Sequence, residues 1–69
     1  MNKAIGEAAG VIWEFLNQQS EPVNLSTLKK GVELSSTLLL TGLGWLARED
    51  KILIEDSDNS PSYSISLKP

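Results

Sequence analysis

The side chains that carry out most enzyme chemistry are scarce in this 69-residue chain. It has neither histidine nor cysteine, so it lacks the commonest general base, the commonest metal ligand and a thiolate nucleophile. Carboxylates, lysines and hydroxyls remain, but Glu7 and Glu14 share a helix face with no further ligand or base beside them. We therefore expect a binding protein rather than an enzyme, with no cofactor and no metal.

One glycine-containing run has the spacing of a dinucleotide-binding fingerprint. Gly42, Gly44 and Ala47 match the pattern GxGxxA. The fingerprint needs a strand before it and a crossover helix after it, and the chain is too short for that parallel sheet. We interpret the run as part of a helix. We expect its two glycines to mark close approach by another backbone, either the first helix or a second subunit.

A second run begins like a calcium-binding loop. Asp56-Ser57-Asp58-Asn59-Ser60 alternates carboxylates with small polar residues, but Pro61 stands where the loop needs glycine. Leu67 stands where it needs a bidentate glutamate. The composition is instead typical of a solvated turn.

The clearest periodic pattern lies at the start of the chain. Apolar residues recur there at helical spacing, which predicts an amphipathic helix from about residue 3 to 18. Polar residues and Pro22 follow it. The predicted apolar stripe consists of Ala4, Ile5, Ala8, Ala9, Ile12, Phe15 and Leu16.

Two further helices are predicted in the middle of the chain. After a brief strand at Val23–Leu25, Ser26 has the chemistry of an N-cap for a short helix over Thr27–Lys30, which we expect to stop near Gly31. Ser35 offers a second N-cap, and Leu34 and Leu39 occupy the positions of a hydrophobic staple around it. The helix that follows, from about Ser36 to Glu49, has a predicted apolar face of Leu39, Leu43, Leu46 and Ala47.

The C-terminal part of the chain changes to the alternating pattern of strands. Ile52 and Ile54 alternate with Leu53 and Glu55, and residues 63–67 alternate apolar side chains with serines. With the turn-forming run 56–61 between them, the two segments predict a hairpin. The Val23–Leu25 strand is placed to pair along its edge. The order helix-strand-helix-helix-strand-strand predicts an α+β winged helix-turn-helix with a three-helix core and a small antiparallel sheet, forming one domain over residues 1–69.

Two segments resemble a known group of domains. The run LGWLAREDKI, Leu43 to Ile52, resembles the end of the third helix and the first wing strand of winged helix-turn-helix domains. The opening IGEAAG at Ile5–Gly10, with Ile12-Trp13, resembles the start of a group of small bacterial domains of this type whose function is unknown. The resemblance covers nearly the whole chain and implies the fold, with a role in binding either DNA or protein.

Charge favours protein over DNA as the partner. Residues 26–51 carry a net charge of +1 and residues 52–69 a net charge of −2, so the wing is acidic where a DNA-binding wing would be basic. Helical phase places Leu38 and Trp45 on the outward side of the third helix, and an exposed aromatic beside an aliphatic is typical of an interface anchor. We predict a protein-interaction surface, the third-helix face, made of Leu38, Thr41, Trp45 and Arg48.

The alternative is a DNA-binding transcriptional regulator that contacts double-stranded DNA. Phosphate contacts would come from the lysines near the third helix and base contacts from hydroxyls at its N-terminal end. This predicted DNA-contacting set comprises Lys29, Lys30, Ser36, Thr37, Thr41 and Lys51.

Trp13 and Trp45 are either core-edge residues or interface residues, and a homodimer formed through the first helix and Trp13 is a third alternative.

No window reaches the ~18 apolar residues of a membrane span, and Glu7 and Glu14 interrupt any signal-peptide core. We therefore expect no membrane partner and a cytoplasmic location.

Overall fold

The computed structural model of the chain describes residues 2–56 and 63–68, which form three helices and three strands. In chain order these are α1 (Asn2–Asn17), β1 (Val23–Asn24), α2 (Leu25–Gly31), α3 (Ser36–Arg48), β2 (Ile52–Asp56) and β3 (Tyr63–Leu67). The α+β architecture and the order of the elements are those that the sequence predicts. Segment 57–62, which contains nearly all of the predicted turn of the hairpin, lies outside the described residues.

Helix α1 packs chiefly on α3. It buries Ala8, Ala9, Ile12 and Leu16, and it holds Phe15 partly buried at the edge of the core. These residues recur every three or four positions, so one stripe of the helix is apolar. The predicted stripe is therefore confirmed, and the helix ends one residue earlier than the pattern indicates.

Helix α2 begins two residues before the predicted start, and the predicted cap at Ser26 is wrong. The side chain of Asn24 accepts a hydrogen bond of 2.7 Å from the backbone N–H of Thr27 and caps the helix. An asparagine oxygen satisfies a free first-turn amide as well as a serine hydroxyl does, so the cap falls where the β1 backbone ends. Gly31 is the last residue of α2 and does not adopt a positive φ; it lies against the ring of Phe15.

Helix α3 begins at the predicted cap. The hydroxyl of Ser35 accepts a hydrogen bond of 3.2 Å from the N–H of Leu38. Of the two predicted staple residues, Leu39 is buried in the core and Leu34 is partly buried against the same core cluster. Of the predicted apolar face, Ala47 is exposed; Gly42 is buried instead, because the helix turns this residue toward α1.

The end of α3 is a Schellman turn. The N–H of Lys51 donates to the carbonyl of Leu46 at 2.9 Å, and the N–H of Asp50 donates to that of Ala47 at 3.1 Å. Asp50 has a φ of 61°, the left-handed conformation that this turn requires. Its carboxylate also pairs with the ammonium group of Lys68, which fastens the start of β2 to the end of β3.

The three strands form an antiparallel sheet in the order β1-β3-β2. In the central strand, Ile65 lies opposite Val23 on one side and Ile54 on the other. Ile65 is 1% exposed and belongs to the same core cluster as Ile12, Leu28 and Leu43. The core therefore lies between the helices and one face of the sheet, and the predicted pairing of β1 with the hairpin is confirmed.

Candidate binding surface

Side chains that could hold a metal do not cluster in the part of the chain that the structure describes. Among these residues there is no group of three or more carboxylates arranged as a cation site. The helices over residues 2–56 are also too short, or not apolar enough, to cross a bilayer.

The predicted third-helix face is unevenly exposed. Trp45 is 45% exposed and Arg48 is exposed, while Leu38 and Thr41 are half-buried. The most exposed large apolar side chain on α3 is that of Leu40, at 57%, and it lies about 140° around the helix from Trp45. Trp45 is thus the residue of this face with the largest accessible apolar surface.

The hydroxyl of Thr41 is occupied within the helix. Its Oγ1 lies 2.8 Å from the carbonyl oxygen of Thr37 and 3.3 Å from that of Leu38, so its proton points back into the preceding turn. A threonine bonded in this way has only acceptor lone pairs left for a partner. This lowers its value as a reader of base edges.

The two tryptophans line one cleft between α1 and α3, which we call the tryptophan cleft. Its volume is about 350 Å³. Trp13 is 38% exposed and Trp45 is 45% exposed, so neither is fully packed into the core. The lining residues are Gly6, Ala9, Gly10, Trp13, Trp45, Leu46 and Lys51. The cleft is therefore an aromatic-walled, largely apolar surface with one cationic side chain.

Gly6 and Gly10 line the tryptophan cleft, and the sequence-based candidate set did not include them. Both are exposed, and a Cβ built on either one would have no atom within 4 Å. They follow each other by one helical turn on the stripe that also carries Trp13. The sequence did contain a signal for this surface: two glycines lie one turn apart inside a predicted helix, where glycine lowers helix stability relative to alanine.

The predicted DNA-contacting residues do not surround one end of α3. Lys29 and Lys30 lie in the last turn of α2, and Ser36 and Thr37 lie at the start of α3; all four are exposed. Lys51 follows the other end of α3, Arg48, which lies about 18 Å along the helix axis from Ser36, and it lines the tryptophan cleft. Lys51 is thus separated from the predicted base-contacting residues.

The run that resembles a dinucleotide fingerprint lies wholly inside α3. Gly42 faces α1, where an added Cβ would stand 2.9 Å from Cδ1 of Ile12 and 3.2 Å from the backbone N of Ala9. A Cβ added at Gly44, on the nearly opposite side of the helix, would have no atom within 4 Å. The expected close backbone approach is therefore present at Gly42, and the helical backbone leaves no glycine loop to cradle a phosphate.

Comparison with known proteins gives one family. A family model described as a winged helix-turn-helix domain (DUF2582) matches residues 1–65. No curated protein matches the chain in sequence. The match includes α1, α2 and α3 and extends into β3, so it covers every element that forms the tryptophan cleft.

Proposed function

Since the chain belongs to the family of winged helix-turn-helix domains designated DUF2582, we propose that it is a non-enzymatic binding module whose ligand is another protein. The ligand binds the third-helix face, with Trp45 as its anchor. The observation that carries the proposal is the 45% exposure of Trp45 at the wall of the tryptophan cleft. Large aromatic side chains that are partly exposed beside a cleft are typical of interface hot spots. A bacterial, cytoplasmic setting stays a prediction.

The charges on α3 support a protein ligand over DNA. Arg48 is the basic residue of this helix, and it lies in its last turn. In DNA-binding helix-turn-helix domains the base contacts come from the N-terminal part of the recognition helix. Here that part carries Ser36 and Thr37, and the next outward hydroxyl, on Thr41, donates to the helix backbone. Such a surface has little with which to neutralise phosphates.

The role of Trp45 is tested by capture experiments with the immobilised 69-residue chain. Trp45→Ala should abolish retention of a partner protein from extract of the source cells. Leu40→Ala is the matched control, because it removes an exposed apolar side chain from another face of the same helix. Equal retention of the partner by the wild-type chain, Trp45→Ala and Leu40→Ala would contradict the assignment of Trp45 as the anchor. Leu38→Ala is a poorer probe because its half-buried side chain also supports the fold.

The DNA alternative is tested by an NMR titration of the chain with a short mixed-sequence duplex at low salt. We expect the amide shifts of residues 26–41 to stay unchanged. Shifts in that range that fade steeply between about 50 and 200 mM salt would overturn the protein-binding proposal in favour of DNA, because electrostatic binding to phosphates weakens with counterion concentration. Lys29→Ala with Lys30→Ala should then reduce the salt slope.

A further inference from the structure

The tryptophan cleft continues onto an open strip of α1. Gly6 and Gly10 form its floor, with Trp13 on the side nearest α3. At Gly42 the missing Cβ makes room for the neighbouring helix, but nothing in the described part of the chain fills the space over Gly6 or Gly10. Glycine destabilises a helix interior relative to alanine. The two glycines therefore lower the stability of α1, and no described residue packs into the space above them.

The shape of this strip suits a helix backbone. Small residues one turn apart let a second helix approach more closely than larger side chains would allow. Trp13, exposed beside the strip on the same helix, then supplies apolar area along one edge of the contact. A ligand that inserts a single side chain would occupy the tryptophan cleft without contacting both glycines, whereas a helix packed along α1 would contact both.

We propose that the occupant is a second copy of this chain, packed with its α1 antiparallel on the first α1 across the Gly6–Gly10 strip. In a twofold dimer the same surface serves both partners, so one strip is sufficient. The surface lies on α1 and adjoins the third-helix face only at Trp45. The proposal is therefore independent of whether that face binds protein or DNA.

Charge complementarity selects the second copy and its direction. Lys3 and Glu14 are both exposed and lie within about 20° of each other around α1, on the edge of the strip away from Trp13. Along the axis, Lys3 is about 7.5 Å before the midpoint of the two glycines and Glu14 about 9 Å after it. An antiparallel pair therefore brings each Lys3 to the partner's Glu14 on the same edge of the contact, whereas a parallel pair would place the two copies' charges on opposite edges and form neither ion pair.

The first test is sedimentation equilibrium of the 69-residue chain over a range of concentrations, where we expect a monomer–dimer equilibrium. Changing Gly6→Ala and Gly10→Ala together should raise the dimer dissociation constant at least about tenfold, because two methyl groups overpack the contact. The same double variant should unfold at a higher temperature than the wild type at concentrations where both are monomeric.

Gly44→Ala is the matched control for this test. Its Cβ also enters open space, but on α3 and outside the cleft. It should raise thermal stability and leave the dissociation constant unchanged. A monomeric mass for the wild-type chain at all concentrations would overturn the proposal, as would dimerisation that tolerates both α1 substitutions.

The second test fixes the direction of the helices. Lys3→Glu or Glu14→Lys alone should each raise the dissociation constant by about fivefold at low salt, and the double exchange should restore it. Glu7 lies on the same edge close to the twofold axis, so its two copies approach each other, and Glu7→Gln should tighten the dimer. Single exchanges that act additively, with no restoration in the double variant, would overturn the antiparallel arrangement.

Failure of this proposal is distinguishable from failure of the proposed function. A monomeric chain that still loses its partner through Trp45→Ala would overturn the dimer and retain the third-helix face. A chain that dimerises, loses the dimer on substitution at Gly6 and Gly10, and captures no protein would retain the dimer proposal and overturn the third-helix face as a protein-binding surface.

Discussion

Gly42 and Gly44 lie close together on α3 in opposite surroundings. The position of Gly42 beside the backbone of Ala8 and Ala9 lets the two helices pack without a side chain between them. Gly44 faces open space, so no packing within the described residues depends on its missing Cβ. Alanine substitutions at the two positions therefore separate the effect of the α1–α3 contact on unfolding free energy from the effect of helix propensity.

We predict that Gly42→Ala destabilises the fold. The added Cβ would stand 2.9 Å from Cδ1 of Ile12 and 3.2 Å from a backbone nitrogen, and a backbone neighbour can yield only if the helices separate. Overpacking of this kind costs about 1–3 kcal/mol of unfolding free energy. Urea denaturation followed by circular dichroism measures it.

Gly44→Ala should have the opposite sign in the same urea titration, with a gain of up to about 1 kcal/mol from helix propensity. Equal effects of the two substitutions would show that propensity alone governs both positions. The close contact between α1 and α3 would then not determine the stability of the fold.

The short helix α2 shows how an element's boundary depends on its cap. Its seven residues bury only Leu28, so packing alone supplies little to hold its first turn. The hydrogen bond from the N–H of Thr27 to the side chain of Asn24 satisfies an amide that would otherwise lack a partner. Ser26, the predicted cap, lies inside the helix and is exposed.

We therefore expect Asn24→Ala to lower the unfolding free energy by about 1 kcal/mol, the usual effect of losing an N-cap. Ser26→Ala is the control and should leave stability unchanged or slightly higher, because alanine is the better helix former. Thermal denaturation of both variants checks the pair. A larger loss of unfolding free energy from Ser26→Ala than from Asn24→Ala would show that Ser26, the cap predicted from the sequence, caps the helix.

At the scale of the whole molecule, β3 joins the parts of the fold. It is the middle strand of the sheet, and its residue Ile65 pairs with β1 and β2 while packing into the helical core. A chain of this size has a net stability of only about 3–10 kcal/mol. Any loss at the centre of the sheet is thus a large share of the total.

Ile65→Ala should lower the unfolding free energy by about 2–5 kcal/mol, a large share of the total. Ile54→Ala is the matched control, since Ile54 lies opposite Ile65 in register but is 45% exposed. Its cost should stay within about 1 kcal/mol. Near-ultraviolet circular dichroism and urea midpoints report both. Similar losses at the two positions would contradict the central role of β3.

The sequence by itself determined the type and order of the elements, because these follow from local patterns. The apolar spacing of α1, the serine cap of α3 and the alternation around Ile52 and Ile65 each depend on residues within a few positions of one another. Ends were predicted less accurately, as α2 shows, since asparagine and serine compete as caps on nearly equal terms.

Only the tertiary structure decided which exposed residues share a surface. Helical phase shows that Trp13 and Trp45 lie on outward or edge positions, but it contains nothing about how α1 and α3 cross. Their meeting in one cleft depends on the backbone approach at Gly42, a contact between residues far apart in the chain. Lys51 was drawn into the same cleft by the turn at Asp50, away from the predicted DNA-contacting residues, because a left-handed residue reverses the chain there.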